Sequence, residues 1–174
     1  LGGSKLLAER LTLDAGTYAG KGKTKFAIVR FGNVLGSRGS VFQIFQNQIK
    51  MKKPLTVTDK RMTRFIMSIS EAASMILKVT KILKDGEIYI LKMPSIRIED
   101  LAKGMLHVYG SRFPDYRNTS SLKITKPRGE RFHELLITNE EMPFCHDIGD
   151  MYKISKTENK KRLLQKEFSS ETAS

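Results

Sequence analysis

The sequence predicts an α/β fold, because segments with a helical apolar period alternate along the chain with short β-rich segments. The first β-rich segment, residues 24–30, carries Phe, Ala, Ile and Val in uninterrupted order, which is typical of a strand buried on both faces of a parallel sheet. With 174 residues, 40% of them apolar, the chain is long enough to bury a core. No G-x-G-x-x-G turn follows a strand, so we expect a truncated sheet that lacks the first strand of a doubly wound nucleotide-binding domain.

The first part of the chain is predicted to run helix, strand, loop, helix. Apolar residues at roughly helical spacing predict helices over residues 3–15 and 41–51, with Gly16 as the expected end of the first. Residues 31–40 contain three glycines and predict a loop after the first strand. Extended segments are expected at residues 54–59 and 62–68.

The remaining part continues the alternation. Ser70 is the expected cap of the next helix. Glu71 places a negative charge in the first turn, where it interacts favourably with the helix dipole. Gly110 is the expected end of the last helix. The predicted helices cover residues 70–83 and 99–109, the predicted strands and extended segments cover residues 87–93, 122–125 and 134–138, and residues 155–174 predict a polar, frayed tail.

Positive charge is concentrated in one quarter of the chain. The net charge is +13, and between Lys21 and Arg64 there are 11 basic residues and one acid, Asp59. Such a cluster attracts nucleic acid, a membrane surface or the phosphates of a small ligand, and charge alone does not choose among them. The phenylalanines of this stretch lie in apolar rather than polar contexts, which disfavours nucleic acid as the partner.

Cysteine usage and apolar run lengths indicate a compartment. The single cysteine, Cys145, excludes an internal disulfide and favours a reducing environment. Apolar runs stop well short of the roughly 20 residues that a membrane span needs, and no secretory signal is visible. We therefore expect a cytoplasmic chain without a membrane segment, and the isolated histidines predict no metal site. The chain opens on Leu1 rather than Met, which is typical of a piece of a longer protein.

Several short blocks in a fixed order resemble one family. Residues 1–9 (LGGSKLLAE) and 30–41 (RFGNVLGSRGSV) resemble the second half of the extended short-chain dehydrogenase/reductase superfamily. Together with residues 54–59 (PLTVTD) and 62–65 (MTRF), they resemble the nucleotide-sugar 4,6-dehydratase/epimerase family of capsule and surface-polysaccharide biosynthesis. Gly-Glu-x-x-His-Glu at residues 129–134 also fits. The resemblance implies a truncated Rossmann-like part over residues 1–53, a substrate-binding part over residues 54–154 and a tail over residues 155–174.

The resemblance also implies a cofactor chemistry, in which a bound NAD or NADP transiently oxidises C4 of the sugar. Lys5 would be the catalytic lysine that holds the cofactor ribose, and Phe31 and Val34 would lie near the cofactor. Leu1 occupies the place of the superfamily's tyrosine, where this family often carries an apolar residue. Since Leu moves no proton, the acid–base residues would lie upstream, and this chain alone would be inactive.

Further residues match the family's substrate contacts. Asn33 and Arg64 would hydrogen-bond the diphosphate of a UDP-sugar, and Arg38 and Arg128 would be further phosphate contacts. Leu55, Thr56 and Val57 would lie along the uracil base, mostly through their backbone. The family usually reads Arg-Pro-Gly-Glu where this chain reads Pro127-Arg128-Gly129-Glu130, so the direction of the Arg128 side chain would differ.

We therefore expect the substrate-binding half of a UDP-N-acetylglucosamine 4,6-dehydratase that is a homo-oligomer in its full-length form. A UDP-sugar 4-epimerase of the same family is the nearest alternative, because both enzymes share this half. Two alternatives of another class stay open, namely a non-catalytic basic domain that binds nucleic acid and a remnant that has lost its cofactor half.

Overall fold

The computed structural model describes residues 2–18, 24–37, 39–113, 122–125, 129–156 and 168–172. Helices and parallel strand pairs alternate in them, which confirms the predicted α/β class. The helices are α1 (Gly2–Tyr18), α2 (Val41–Lys50), α3 (Ile69–Ile82) and α4 (Ile98–Arg112), with a 3₁₀ turn at Met142–Phe144. The strands are β1 (Ala27–Arg30), β2 (Asn33–Val34), β3 (Leu55–Val57), β4 (Thr63–Met67), β5 (Glu87–Leu91), β6 (Ser95–Arg97), β7 (Leu122–Ile124), β8 (Leu135–Ile137), β9 (Cys145–Asp147), β10 (Met151–Ile154) and β11 (Phe168–Ser169).

The chain divides into two compact units, each assembled from separate stretches. Unit 1 consists of Leu1–Phe31, Ser70–Lys92 and Leu136–Phe168, and unit 2 consists of Gly32–Ile69, Met93–Leu135 and Ser169–Ser174. Neither unit is a continuous stretch of chain, because strands far apart in sequence pair with each other. The boundaries after residues 53 and 154 that the resemblance implied divide the chain by expected function and stay a prediction.

Unit 1 is built on a four-stranded sheet in the order β1-β5-β10-β9. Strand β1 runs parallel to β5, and β10 runs antiparallel to both β5 and β9. Strand β1 lies at the edge of this sheet among the described residues and is half-buried, not buried on both faces as predicted. Among the described residues of this unit, buried side chains form a cluster of Ile88, Ile90, Ile137, Met142, Cys145 and Ile154 and another of Met75, Val79, Tyr89 and Met151.

Three predicted helix ends differ from those observed. Helix α1 continues through Gly16 to Tyr18, and α4 continues through Gly110 to Arg112. Packing rather than a helix end explains the glycine at position 16, since a Cβ atom there would lie 2.7 Å from Oδ1 of Asp85. Helix α3 begins at Ile69, so Ser70 lies inside its first turn and is not its cap.

The described residues of unit 2 form three strand pairs and the helices α2 and α4. Strand β2 runs parallel to β4, β4 runs antiparallel to β6, and β3 runs parallel to β7. Strand β2 falls inside the predicted loop of residues 31–40, and β6 was not predicted. The core of this unit is formed by Phe45, Ile49, Leu55, Val57, Met62, Ile98, Ala102 and Met105.

Part of the predicted frayed tail is ordered. Strand β11 pairs with β8, and the next residue, Ser170, has an exposed fraction of 0%. The backbone N–H of Ser170 donates to the Glu134 carbonyl at 2.8 Å, and its hydroxyl accepts a hydrogen bond from the Glu134 N–H at 2.8 Å. These bonds satisfy the polar groups that burial removes from water.

Candidate functional site

The close approach of β2 and β4 defines the first part of the candidate site in unit 2. A Cβ atom on Gly32 would lie 2.3 Å from Cβ and 2.8 Å from the carbonyl oxygen of Phe65, so only glycine fits there. Directly after it, Nδ2 of Asn33 donates to the Phe65 carbonyl at 3.3 Å and to Oε1 of Glu134 at 2.9 Å. Oε2 of Glu134 in turn accepts the Phe65 N–H at 3.1 Å.

Arg64 lies on β4 directly before Phe65, the residue whose carbonyl contacts Asn33. Its side chain contacts the segment that precedes Glu134. Its Nη1 atom donates to the carbonyls of Thr63 at 2.7 Å and Phe132 at 3.0 Å, and its Nη2 atom donates to the carbonyl of Arg131 at 2.8 Å. The guanidinium group therefore holds backbone carbonyls of residues 131–132 against β4. These acceptors are neutral, and an ionised phosphate oxygen is a stronger acceptor for the same group.

A cavity of about 760 Å³ lies in the same unit. The Arg61 guanidinium lies over the Phe132 ring, 4.9 Å from its centroid, and pairs with Asp59 at 2.9 Å. Hydrogen bonds from Arg61 lower the pKa of Asp59 to about 2. Arg97 pairs with Asp100 at 2.6 Å. The cavity is lined by Arg61, Thr63, Ser95, Ile96, Arg97, Asp100, Phe132, His133 and Glu171.

A hydroxyl and imidazole cluster forms one wall of this cavity. The hydroxyl of Thr63 lies 2.8 Å from Nδ1 of His133 and 2.8 Å from the hydroxyl of Ser170. Nε2 of His133 lies 3.8 Å from a carboxylate oxygen of Glu171. Sequence reasoning missed Ser170 and Glu171, because a polar C-terminal segment carries no local signal of burial.

The residues matched to uracil recognition differ in the surroundings of their side chains. Leu55 and Val57 have exposed fractions of 0% and 1% and belong to the core of unit 2. Thr56 is held by Gln48, which donates from Nε2 to the threonine hydroxyl at 2.8 Å and accepts the threonine N–H at 3.2 Å. A ligand along β3 would therefore meet backbone and Thr56 rather than the two apolar side chains.

The residues matched to cofactor binding fall in both units. Lys5 is exposed on α1 of unit 1. Phe31 is half-buried against the cluster of Met75, Val79, Tyr89 and Met151, so it packs in the core of unit 1. Val34 lies on β2 of unit 2, in register with Met67. Arg38, Arg128 and Leu1 lie outside the described residues.

Arg30 forms a charged triad in unit 1 that sequence reasoning also missed. It donates from Nε to Glu9 at 2.9 Å, from Nη1 and Nη2 to Glu141 at 2.9 and 2.7 Å, and from Nη1 to the Leu136 carbonyl at 2.8 Å. Burial lowers the pKa of Arg30, but the hydrogen bonds to Glu9 and Glu141 outweigh burial and raise it. Burial raises the pKa of Glu141, but the hydrogen bonds from Arg30 outweigh this and lower it.

The described residues were also compared with what a metal site and a membrane-spanning helix require. Among them, no group of three or more His, Cys, Asp or Glu side chains is arranged to hold a metal ion. Within the same part of the chain, no helix has both the length and the apolar character needed to cross a bilayer.

Known proteins resemble this chain in sequence and in fold. An uncharacterized membrane protein of Methanocaldococcus jannaschii is 46% identical over 153 residues, covering 87% of this chain and 46% of its own length. The UDP-glucose 4-epimerase of Rickettsia felis is 37% identical over 155 residues, covering 88% of this chain and 43% of its own length. The structure of Pen from Bacillus thuringiensis matches with a TM-score of 0.88 at 37% identity, over 98% of this chain and 52% of that chain.

These matches define the class of protein. The chain is a partial member of the extended short-chain dehydrogenase/reductases, and it spans less than half the length of the curated relatives it matches. The family model described as "Polysaccharide biosynthesis protein" matches residues 1–156. The chain belongs to that family.

Proposed function

We propose that this chain supplies the substrate-binding part of a UDP-sugar-modifying enzyme that works with a nicotinamide cofactor. The reaction is 4,6-dehydration of UDP-N-acetylglucosamine in the biosynthesis of a polysaccharide precursor. The alternative is 4-epimerisation of a UDP-sugar, which the name of the Rickettsia felis relative favours. The observation that carries the proposal is the cavity of about 760 Å³ in unit 2 of a chain from this family.

The cavity supports this proposal by its size and by its lining. Small-molecule sites usually enclose about 300–1,000 Å³, combining apolar surface with a few polar groups. The guanidinium groups of Arg61 and Arg97 suit a diphosphate, and the Phe132 ring suits a base or a sugar face. Both arginines already pair with aspartates, so the cavity wall is close to neutral, which favours a small ligand over a nucleic acid.

The cofactor would be NAD or NADP, which supplies reversible hydride transfer when it is bound. Among the residues of this chain, Lys5 would hold the cofactor ribose, since its ammonium group is exposed on α1 and provides hydrogen-bond donors. Phe31 packs in the core and would support the cofactor site only indirectly. We infer that the acid–base groups belong to a part of the enzyme that this chain does not contain, so that the chain alone is inactive.

A cytoplasmic location and a homo-oligomeric full-length enzyme complete the proposal. Cys145 is a buried thiol that forms no disulfide, which suits a reducing compartment. Burial raises the pKa of this thiol to about 11, so it stays protonated and unreactive at neutral pH.

Calorimetric titration of the chain tests the proposal. We expect UDP-glucose and UDP-N-acetylglucosamine to bind at physiological salt and a single-stranded oligonucleotide not to bind. Oligonucleotide binding without UDP-sugar binding would move the assignment to a basic nucleic-acid-binding domain. Binding of neither ligand would favour a remnant without ligand function.

Arg64 provides the first residue-level test. We expect Arg64→Ala to weaken UDP-sugar binding at least tenfold, because a hydrogen bond to a charged group contributes about 1.5–3 kcal/mol. Arg64→Lys should recover only part of this loss, since Lys lacks the planar fork of donors. Arg112→Ala, at the exposed end of α4, is the matched control, and thermal melting of each variant verifies folding. An unchanged dissociation constant for Arg64→Ala removes Arg64 from the site.

A further inference from the structure

His133 has one ring nitrogen against a buried hydroxyl and the other beside a carboxylate. Nδ1 lies 2.8 Å from the hydroxyl of Thr63, a residue with an exposed fraction of 7%. Nε2 lies 3.8 Å from a carboxylate oxygen of Glu171. The negative charge favours a proton on Nε2, and the Thr63 hydroxyl can then donate to Nδ1. His133 therefore presents an N–H donor beside an acceptor, and both residues line the cavity of unit 2.

The distance between Nε2 and the carboxylate leaves room for one more polar atom. A hydrogen bond joins N and O atoms at about 2.7–3.2 Å, so the two groups are too far apart to bond directly. A hydroxyl oxygen at about 2.8 Å from each group would accept from Nε2–H and donate to Glu171. An ionised phosphate oxygen cannot donate, and an amide N–H cannot accept. A carboxylate accepts several hydrogen bonds, so Glu171 can serve a ligand in addition to its contacts within the protein.

One anchor holds both members of this pair in place. Ser170, directly before Glu171, is completely buried, and its N–H donates to the Glu134 carbonyl at 2.8 Å. Its hydroxyl accepts the Glu134 N–H at 2.8 Å and lies 2.8 Å from the hydroxyl of Thr63, the residue that contacts His133. The donor and the acceptor are thus positioned before any ligand arrives, which limits the entropy cost of association.

From this arrangement we infer that His133 and Glu171 together bind one hydroxyl group of the sugar nucleotide. The inference rests on the proposed function and deepens it, because it assigns this wall of the cavity to a neutral part of the ligand rather than to its phosphates. The ribose and the sugar of a UDP-sugar both carry hydroxyl groups, and either can supply the one that is bound. Residues 169–172, which follow the end of the family match at residue 156, thereby become part of the ligand site.

Calorimetric titration with UDP-glucose and with UDP tests the inference. We expect His133→Ala to weaken UDP-glucose binding roughly three- to tenfold and Glu171→Ala about tenfold, because the second variant removes a charged acceptor. Glu171→Gln should lose less than Glu171→Ala, since the amide keeps an acceptor oxygen. The double alanine variant should lose less than the product of the two single losses, because both residues bind the same hydroxyl.

The comparison of ligands identifies which hydroxyl is bound. If the variants weaken UDP and UDP-glucose equally, the pair binds a ribose hydroxyl. If UDP binding stays within about twofold while UDP-glucose binding falls, the pair binds a hydroxyl of the sugar. Either result supports the inference.

Matched controls separate a ligand contact from a change in charge or folding. Glu140→Ala and His107→Ala remove the same kinds of side chain at exposed positions. Thermal melting verifies that each variant is folded, and the Glu171 side chain, 67% exposed, can be truncated without opening the core. A Glu171→Ala affinity equal to or higher than that of Glu140→Ala overturns the inference, as do fully multiplicative losses in the double variant. If the wild type binds neither ligand, the proposed function itself fails and the inference fails with it.

Discussion

Arg30 places one largely buried cation between two carboxylates of unit 1, so local stability depends on this residue. The Arg30, Glu9 and Glu141 side chains have exposed fractions of only 17%, 15% and 23%. We expect Arg30→Met to lower the free energy of unfolding by about 3–5 kcal/mol at pH 7, because it leaves two carboxylates without their partner. Urea denaturation measures this loss. Arg10→Met, at an exposed position of the same helix as Glu9, should change stability by less than about 0.5 kcal/mol.

The same triad predicts a pH dependence with a definite sign. Arg30 holds the pKa of Glu141 below its ordinary value of 4.5, so the stability from this pair is fully present above that pH and is lost as pH falls through the lowered folded-state pKa. In Arg30→Met the Glu141 carboxylate keeps its burial but loses its partner, so it gains by protonation instead. The stability difference between wild type and Arg30→Met should therefore shrink between pH 7 and pH 4. A gap of constant size in urea titrations at both values would contradict the triad.

Gly32 is required by space rather than by backbone conformation. A methyl group there would meet the Phe65 backbone, which is too constrained to move away at low cost. We expect Gly32→Ala to destabilise the protein by about 1–3 kcal/mol through overpacking. Gly104 lies in α4 with no atom within 4 Å of an added Cβ, so Gly104→Ala should stabilise by about 0.5–1 kcal/mol. Thermal melting of both variants should move in opposite directions, and two shifts of the same sign would contradict this account.

At the scale of elements, the longer helices and strands could be predicted from sequence, while their ends and the shortest strands could not. The apolar period that predicted α2 and α3 is a property of the helix itself, so it is readable locally. Gly16 and Gly110 have the same local appearance as helix stops, yet both lie inside helices. Strand β2 has two residues and is defined by its pairing with β4, so no local sequence pattern predicts it.

The site was predictable to a similar extent. The sequence blocks brought Asn33, Arg64 and Glu134 to attention as parts of separate motifs. Their contacts depend on the pairing of β2 with β4 and on an approach of residues 101 positions apart, which sequence spacing does not encode. Neither does spacing reveal that Leu55 and Val57 turn into the core while Thr56 bonds to Gln48.

The segment of residues 169–172 acts as a small structural element in unit 2, although the family match ends at residue 156. We expect Ser170→Ala to lower the free energy of unfolding by about 1–3 kcal/mol, because the Glu134 N–H would lose its acceptor and the Thr63 hydroxyl one of its partners. Denaturant unfolding measures the change. Ser111→Ala, near the end of α4 and exposed, is the control. Equal stability of the two variants would show that the segment is not held by Ser170.

For the whole molecule, the net charge of +13 predicts an electrostatic contribution to binding of any diphosphate. Raising the salt from about 0.1 to about 1 M shortens the Debye length from about 10 to about 3 Å and screens this attraction. We expect UDP-glucose binding to weaken by roughly three- to tenfold over that range, a loss that calorimetry would detect. Binding of uridine, which is uncharged, should stay constant and serves as the control. A salt-independent dissociation constant for UDP-glucose would place its phosphates away from the basic residues.

The interleaving of the two units has a consequence for how this chain is made on the ribosome. Strand β5 ends at Leu91, and its neighbour β10 begins at Met151, 60 residues later. At about 5–20 residues per second, the ribosome needs roughly 3–12 s to synthesise that interval. During this time one edge of β5, a strand rich in isoleucine, has no partner from β10, and open strand edges recruit other chains. Slower translation or lack of a nascent-chain chaperone should therefore send more of this protein into aggregates than its final stability suggests.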